Sequence, residues 1–321
     1  MGTSTTTRKL LPTVALVLAV VILIIVTRDE SGFDPESLYF LDPIKVEDAP
    51  QSVAIGEGAV WVTNGGSATV SRIDPDDAEV VGDPIQVDSI PNGLAAGEGS
   101  VWVGFGEAAT SISRIDPNAN DVVDAIKIGR SPSSIATGYG SVWVAALVGD
   151  VVVRLDPMTG RVEEELGEKE LEFPSTVEVG LGSAWVADVV SDEVLRLDPQ
   201  TLRVEDRVDV GVSPTAIALG EGAVWVANFD ETITRIDVET LNTKTIPIDG
   251  KPADVAVGAG FVWVTVPDRS AVLRINPSSN RVVGAPIPVG KFPQGIAYGH
   301  GDVWVANQGN DTVTRIELDP D

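Results

Sequence analysis

Glu178 occupies the position in the chain that most suggests a chemical role. It lies in a short run, residues 174–180, that recurs in variant form six more times. The matching residue in the other six copies is alanine: Ala54, Ala95, Ala136, Ala218, Ala256 and Ala297. A carboxylate among small residues is costly to bury unless it is paired or bound to a cation. Asp254, two residues after the proline of another copy, is a second acidic outlier.

Together, Glu178 and Asp254 are the candidate metal ligands, and Mg²⁺ or Ca²⁺ is the ion that two carboxylates would hold. The alternative is a structural carboxylate pair or a water-filled channel. Two carboxylates by themselves favour this alternative.

The sequence offers little for nucleophilic or general-base catalysis. His300 is its one histidine and it has no cysteine, so a serine triad would have to use His300 as the base. We predict that His300 lies in a turn on the face opposite the other candidate residues. Neither a zinc-ligand cluster nor a phosphate-binding loop occurs in the sequence. We therefore predict no catalytic residue, and a non-enzymatic role is favoured over an enzymatic one.

A second set of candidates follows the proline that begins each copy of the recurring run. The residue after this proline is neutral and hydrogen-bonding in six of the seven copies. These six are Gln51, Asn92, Ser133, Ser175, Thr215 and Gln294, and the seventh is Ala253. If the copies surround an axis, these residues form a polar ring at the mouth of a central channel. We predict ligand binding there, and ordinary turn chemistry is the alternative.

Aromatic and basic residues in neighbouring predicted loops extend this candidate surface. Lys251 and Phe292 directly precede two of the prolines, and Phe105 and Phe229 fall in other predicted loops of the same face. Exposed aromatic side chains beside charged ones are typical of binding surfaces. We predict that these four residues contribute to ligand binding.

The elements that position these residues come from one phrase, which is most complete at residues 220–228. Its seven variants carry the seven tryptophans, 38 to 42 residues apart: Trp61, Trp102, Trp143, Trp185, Trp225, Trp263 and Trp304. Each repeat contains four short runs of β-branched and apolar residues bounded by turn residues, for example 214–219, 223–228, 232–237 and 243–248. Four strands repeated seven times predict an all-β, seven-bladed β-propeller.

The two ends of the repeat array complement each other. The last repeat stops after its third strand, and residues 42–46, Asp-Pro-Ile-Lys-Val, match the fourth strand of another repeat, Asp-Pro-Ile-Gln-Val at 83–87. We predict that this N-terminal strand completes the last blade and closes the ring, which leaves only short outer edges.

An arginine recurs in the third strand of every repeat. These are Arg72, Arg114, Arg154, Arg196, Arg235, Arg274 and Arg315. A residue present in every blade favours a structural role, and we predict that these arginines bond backbone or carboxylate groups between blades rather than form an anion site.

The first 41 residues differ from the repeat array. Residues 1–9 are polar and end in Arg8-Lys9, and residues 10–27 are uncharged and mostly apolar. A helix over 10–27 would be about 27 Å long, enough to cross a bilayer core. We predict a cytoplasmic N-terminus (1–9), an uncleaved transmembrane signal anchor (10–27), a tether (28–41) and an extracytoplasmic propeller (42–321). A cleaved signal peptide is the alternative.

Charge limits the classes of partner. The chain has 22 lysines and arginines against 48 aspartates and glutamates, for a net charge of −26. Because nucleic acids require a basic face, they are excluded as partners. The acidic charge favours a role in solubility, including adaptation to salt, over a role in cation binding.

The repeat Pro-x-x-Ile-Ala-x-Gly-x-Gly-x-Val-Trp-Val-Ala-Asn, followed by Thr-Val-x-Arg-Ile-Asp-Pro, resembles the YVTN/NHL-like propeller repeats of prokaryotic surface proteins. It is also similar to the virginiamycin B lyase family, over nearly all of residues 42–317. The lyase resemblance implies a seven-bladed ring that opens a cyclic depsipeptide antibiotic with magnesium and a histidine base at the channel face. His300 does not match that histidine, so no catalytic residue is carried over.

These observations together predict a monomeric, membrane-anchored propeller of a bacterium or archaeon that binds a protein, peptide or cell-envelope ligand. A metal-dependent lyase or lactonase of the virginiamycin B lyase-like type is the alternative, with a divalent cation as its cofactor.

Overall fold

Seven antiparallel sheets surround a common centre in the computed structural model, which describes residues 39–40, 42–106, 109–167 and 169–318. None of the helices in these residues is long and apolar enough to span a membrane. The predicted cytoplasmic segment, membrane helix and most of the tether lie outside the described residues. The predicted all-β, seven-bladed propeller with four strands per blade is confirmed.

The strands follow one another along the chain, blade by blade. The first two, β1 (Tyr39–Phe40) and β2 (Ile44–Lys45), belong to the last blade. Blade 1 contains β3 (Pro50–Gly56), β4 (Ala59–Asn64), β5 (Thr69–Ile73) and β6 (Ile85–Gln86). Blade 2 contains β7 (Pro91–Gly97), β8 (Ser100–Phe105), β9 (Ser111–Asp116) and β10 (Asp121–Lys127). Blade 3 contains β11 (Ser131–Gly138), β12 (Ser141–Val148), β13 (Val151–Leu155) and β14 (Val162–Leu166).

The remaining blades repeat the pattern. Blade 4 contains β15 (Pro174–Gly180), β16 (Ser183–Asp188), β17 (Glu193–Leu197) and β18 (Val204–Asp209). Blade 5 contains β19 (Pro214–Gly220), β20 (Ala223–Asn228), β21 (Thr232–Asp237) and β22 (Thr243–Pro247). Blade 6 contains β23 (Val255–Gly258), β24 (Phe261–Val266), β25 (Ala271–Asn276) and β26 (Arg281–Pro288). Blade 7 contains β27 (Pro293–Gly299), β28 (Asp302–Asn307) and β29 (Thr312–Glu317). Two 3₁₀ turns, Pro267–Arg269 and Gln308–Asn310, follow β24 and β28.

The N-terminal strands close the ring as predicted. Ile44 pairs with Val313 of β29, and further along the same strand Phe40 pairs with Ile316. Val46 then joins one apolar cluster with Trp304 of blade 7 and residues of blade 1. Closure therefore combines main-chain pairing with a shared core, and the last blade acquires its outer strand from the start of the chain.

Each blade is built around its tryptophan, which is fully buried in all seven. The indole N–H donates to the carbonyl of the glycine that ends the first strand, as in Trp61 to Gly56 at 3.1 Å. On the neighbouring third strand the arginine stacks on the indole, and Arg72 lies 5.4 Å from the Trp61 ring centroid. One side chain thus joins three strands of a blade.

Arg72, Arg154 and Arg315 also bond backbone carbonyls of the next blade, as predicted for the set. Arg72 of blade 1 donates to the carbonyl of Pro117 in blade 2 at 2.8 Å, and Arg154 of blade 3 donates to Pro199 in blade 4 at 2.9 Å. Their planar guanidinium groups serve as stacking partners and multiple donors at once. This role accounts for an arginine in every repeat without an anion ligand.

The turns between first and second strands make a second inter-blade contact, on the face away from the strand-initial prolines. Their first residue has positive φ in all seven blades, as does the glycine that follows it. Its side chain reaches the next blade in three cases: the N–H groups of Gly99 and Gly140 donate to Glu57 and Glu98, and that of Gly182 donates to the Tyr139 hydroxyl. His300 occupies this turn in blade 7 and is exposed.

The ion pair between Arg315 and Asp302 generates a testable prediction about blade 7. Arg315 Nε lies 2.7 Å from Asp302 Oδ2, and the Asp302 side chain is 7% exposed. Replacing Asp302 with alanine leaves a nearly buried donor without this acceptor, and we expect a loss of about 1–3 kcal/mol in the free energy of unfolding, measured by urea denaturation.

The matched control uses a residue that other blades place at this position. Ser100 and Ser183 accept from Arg114 and Arg196 at 2.9 Å in blades 2 and 4. Asp302→Ser restores such an acceptor and should lose less stability than Asp302→Ala. Equal losses in the two variants would contradict the assignment of the stabilisation to the arginine contact.

Candidate functional site

A cavity of about 550 Å³ opens at the centre of the ring, where the first strands of the blades begin. Each first strand has a proline at or near its start, on the inner edge of its blade, so the next residue faces the axis. All seven residues after the prolines line this cavity: Gln51, Asn92, Ser133, Ser175, Thr215, Ala253 and Gln294. The structure thus brings the predicted polar ring together, and its role in ligand binding stays a prediction.

The hydroxyl members of the ring also join blades. Ser133 Oγ donates to the carbonyls of Ala145 in its own blade and Pro174 in the next, at 3.0 and 3.3 Å. Ser175 Oγ lies 2.9 Å from the Pro214 carbonyl. Part of the predicted turn chemistry is therefore present in blades 3 and 4, and these hydroxyl protons are engaged by the protein.

The three amide residues of the ring differ from the hydroxyl residues in their hydrogen bonding. Within the described part of the chain, the side-chain amides of Gln51, Asn92 and Gln294 have no hydrogen-bonding partner. They come from blades 1, 2 and 7, which are neighbours in the closed ring, and Gln308 of blade 7 also lines the cavity. Free amides that both donate and accept are concentrated on one side of the cavity mouth.

Glu178 lies deeper in the channel. It is the fifth residue of β15, where the other blades place their small alanine, and it lines both the first cavity and a second cavity of about 460 Å³ beneath it. Asp254 lies at the wall of the first cavity, with its carboxylate accepting from the backbone N–H groups of Val255 and Ile296 at 2.8 and 3.0 Å.

Burial perturbs both carboxyl groups. Burial, with the nearby Asp254 carboxylate, raises the pKa of Glu178 to about 8, and the N–H of Val179 opposes this. Burial raises the pKa of Asp254 to about 6, against hydrogen bonds from Ile296 and Val255. Both shifts favour the neutral form of the carboxyl group, which reduces the cost of placing two such groups in one channel.

The carboxylates provide only part of a metal-binding site. Among the described residues, no group of three or more histidine, cysteine, aspartate or glutamate side chains could hold a metal ion. Glu178 and Asp254 could supply at most two carboxylate ligands, and both Asp254 oxygens already accept hydrogen bonds. Mg²⁺ is sometimes held by one or two carboxylates and water, so cation binding here stays a prediction.

Three of the four predicted loop residues are exposed, and one is not. Phe229 is 53% and Phe292 54% exposed, and Lys251 is exposed with Nζ 3.7 Å from the Phe229 ring centroid. Phe105 is completely buried, so the expectation of an exposed aromatic residue there is wrong. It ends β8 at the place that Asn64 occupies in β4, where the side chain points between blades rather than to solvent.

Sequence reasoning missed most of the apolar residues on this face. Besides Phe229 and Phe292, five large apolar residues in the same two loop sets, or at the strand end beside them, are exposed: Ile90, Val148, Phe173, Val190 and Val212. Blades 4 and 5 provide four of the seven. Phe229 N donates to the Val212 carbonyl and Val189 N to the Phe173 carbonyl, so the loops of each blade are adjacent. Valine in these loops, where repeats usually carry small or polar residues, was the available signal.

The loops of this face are mainly acidic. Among their described residues, thirteen are acidic: Glu47, Asp48, Asp88, Asp150, Glu170, Glu172, Asp192, Asp230, Glu231, Asp249, Asp254, Asp268 and Asp311. Five are basic: Arg130, Lys169, Lys251, Arg269 and Lys291. The face therefore combines an apolar sector, free amides and an excess of negative charge.

Solved structures with the same architecture include lyases and a WD40 domain. A streptogramin B lyase matches with a TM-score of 0.76 and 18% identity over 88% of this chain and 98% of that one. A catalytically inactive virginiamycin B lyase from Staphylococcus aureus with quinupristin has a TM-score of 0.75, with 18% identity over 88% and 100%. The Pan2 WD40 domain of Neurospora crassa has a TM-score of 0.73, with 10% identity over 90% and 98%. No protein-family model and no curated protein matches the chain.

These findings define the class: the chain is a seven-bladed β-propeller with a polar central cavity on one face. Its fold is that of the virginiamycin B lyase-like propellers, as the repeat resemblance predicted. At this level of identity the likeness concerns the fold alone, because propellers with one architecture carry unrelated functions.

The raised pKa of Glu178 predicts a pH dependence of stability. A folded pKa of about 8 against an ordinary value of 4.5 means that the folded protein keeps this proton after the unfolded chain has lost it. The stability contribution is complete below about pH 4.5 and is lost as pH rises towards about 8. Glu178→Gln cannot ionise, so its melting temperature should rise relative to the wild type between pH 5 and pH 9.

Both proteins are unfolded thermally in the same buffers, because the contributions of all other carboxyl groups then cancel in the difference between their melting temperatures. Glu221→Gln, an exposed glutamate in a turn of blade 5, is the matched control and should show a constant difference from the wild type. If the difference in melting temperature between Glu178→Gln and the wild type does not vary with pH, the burial of this carboxyl group is contradicted.

Proposed function

We propose that this propeller is a membrane-anchored binding module whose cavity face takes a protein, peptide or cell-envelope ligand outside the cytoplasm. The observation that carries the proposal is the combination at one face: a cavity of about 550 Å³ with unpartnered amides, next to exposed Phe229 and Phe292. A concave site with polar groups that can orient a ligand, beside exposed aromatic residues, suits a recognition surface.

The chemistry of the face favours a ligand that contains peptide groups. The amides of Gln51, Asn92 and Gln294 can each donate to a carbonyl and accept from an N–H, which is what a peptide backbone presents. The apolar side chains beside them suit peptide side chains. Propellers of the WD40 type, which have this architecture, commonly mediate protein interactions.

The N-terminal residues support a location for such binding. The apolar run over residues 10–27, preceded by Arg8 and Lys9, supports a single-pass anchor with the N-terminus in the cytoplasm and the propeller outside as a monomer. Ligands would then be captured close to the outer side of the membrane that holds the anchor. This placement fits a ligand of the cell envelope.

The binding proposal is tested by photo-cross-linking in cells that make the full-length protein. A photoreactive phenylalanine analogue replaces Phe229 or Phe292 on the cavity face, and Val123 on the outer strand β10 is the control position with similar exposure of 54%. We expect a defined cross-linked product at Phe229 and Phe292 and not at Val123. Absence of a product at both face positions, or the same product at all three, would contradict the proposal.

A metal-dependent lyase or lactonase is the second candidate, favoured by the two perturbed carboxyl groups in the cavity together with the lyase fold. His300 argues against a histidine base at this site, because it lies in a turn at the far end of β27. A cation that binds only the folded state raises stability in proportion to RT ln(1 + [L]/Kd).

To test the metal-dependent enzyme, a protein of residues 36–321 is freed of metal ions with a chelator. Its melting temperature is then measured at increasing concentrations of MgCl₂ or CaCl₂ at constant ionic strength. A saturable rise in melting temperature that disappears in both Glu178→Gln and Asp254→Asn would favour a cation-dependent activity. An equal rise with NaCl, or no rise, would leave binding as the function.

A further inference from the structure

The exposed apolar residues of the cavity face are concentrated in two neighbouring blades. Phe173, Val190, Val212 and Phe229 are 40%, 60%, 52% and 53% exposed, and we call them the blade 4–5 rim. The two residues of blade 4 lie in adjacent loops, since the N–H of Val189 donates to the carbonyl of Phe173 at 3.2 Å. Those of blade 5 are joined in the same way through Phe229 and Val212. Large apolar side chains exposed together indicate a contact surface.

Side-chain hydrogen bonds fix the backbone of the rim loops, and the positive φ before the proline is shared with Ala49, Ser213 and Phe292. Phe173 has a φ of 81°, a left-handed conformation that is costly for a bulky residue. It is maintained by a hydrogen bond from the Phe173 N–H to Asp150 Oδ1 at 3.0 Å. On blade 5, Asp230 Oδ2 accepts from the N–H of Val212 at 3.2 Å. Acidic side chains therefore fix the loops that present the apolar residues.

Acidic residues also flank the rim. Glu172 precedes Phe173, and Glu231 follows closely after Phe229; both are exposed. The whole face has thirteen acidic against five basic residues in its described loops, and no lysine or arginine lines the cavity among the described residues. Such a potential attracts cationic partners and repels anionic ones, including anionic lipid headgroups.

Phe229 shows directly that its ring can accept a cation. Lys251 Nζ lies 3.7 Å from the centroid of this ring, within the range of a cation–π contact. Lys251 is an exposed, flexible side chain, so a basic group of a partner can compete for the same ring face.

From this charge complementarity we infer that the partner of the blade 4–5 rim is a cationic amphipathic peptide segment, with apolar side chains against the rim and basic side chains against the acidic flanks. The inference rests on the proposed binding function and deepens it by naming the chemistry of the ligand.

The probe is a short synthetic peptide of alternating leucine and lysine, and its binding to residues 36–321 is measured by calorimetry at physiological ionic strength. Two matched peptides, alternating leucine with glutamate and serine with lysine, separate the apolar from the charged contribution. We expect the leucine–lysine peptide to bind about tenfold or more tightly than either control. Equal binding of the serine–lysine peptide would overturn an apolar contact, and equal binding of the leucine–glutamate peptide would overturn the cationic one.

Variants locate the contact. The double substitution Phe173→Ser and Phe229→Ser should weaken binding of the leucine–lysine peptide about tenfold or more. The matched control, Val123→Ser with Val162→Ser, removes exposed apolar residues from outer strands and should leave binding unchanged. Melting curves verify that both double variants are folded. Equal weakening in the two, or none in the rim variant, would overturn the assignment to this surface.

Lys251→Gln removes the resident cation from the Phe229 ring and should tighten peptide binding, while weaker or unchanged binding would overturn competition for that ring.

Co-sedimentation with phosphatidylcholine vesicles tests whether the rim binds a membrane instead of a peptide. Capture by the vesicles that is lost in the rim variant would assign the rim to a membrane and overturn the peptide proposal. Failure of the leucine–lysine peptide together with cross-linking at Phe229 would overturn this inference and leave the proposed binding function intact. Failure of both would remove the two together.

Discussion

The buried tryptophan of each blade is the interaction on which the rest of the molecule depends. Its indole N–H satisfies the glycine carbonyl at the end of the first strand, and its face receives the arginine of the third. In blades 1, 3 and 7 the arginine also reaches a carbonyl of the next blade, so the same unit that holds the blade together fixes its position relative to its neighbour. The contact between tryptophan and arginine recurs in all seven blades of a chain that has no cysteine.

The residues that stabilise the blades and the residues that are exposed for recognition lie in different parts of each repeat. The stabilising tryptophan and arginine residues lie within strands, whereas the loops at the cavity mouth carry the exposed residues beside buried ones such as Val87, Ile128 and Ile248. These loops can therefore vary between repeats without disturbing the fold. Blades 7, 1 and 2 present free amides, blades 3 and 4 present engaged hydroxyls, and blades 4 and 5 present apolar side chains. A ring of similar repeats thus carries an asymmetric surface.

The channel is the second consequence of ring geometry. First strands converge on the axis, so their central position accommodates alanine in six blades, and only one blade carries a long polar side chain there. Glu178 is tolerated because the channel is hollow on both sides of it and because its raised pKa allows it to be neutral. Protonation limits the cost of desolvating this carboxyl group but does not remove it, because stability is lost as the pH rises from about 4.5 towards about 8.

The sequence by itself determined the number of blades, the strands within them and the closure of the ring, since a period near 40 residues with alternating apolar runs permits few architectures. In blade 5 the predicted strand 223–228 matches β20 residue for residue, and residues 42–46 include the closing strand β2. The residues of the polar ring could be named for the same reason, because position within a repeat fixes the distance from the axis.

Only the tertiary structure decided which side chains face solvent and which partners they meet. Phe105 ends β8 and is buried between blades, whereas Phe229 follows the end of β20 and is exposed, although both were expected at the same binding surface. The free amides, the apolar rim of blades 4 and 5 and the perturbed pKa of Glu178 likewise depend on neighbours from other blades, about 40 or more residues away in the chain. Periodicity specifies the path of the backbone, but the surroundings of a loop side chain are set by long-range packing that local sequence does not encode.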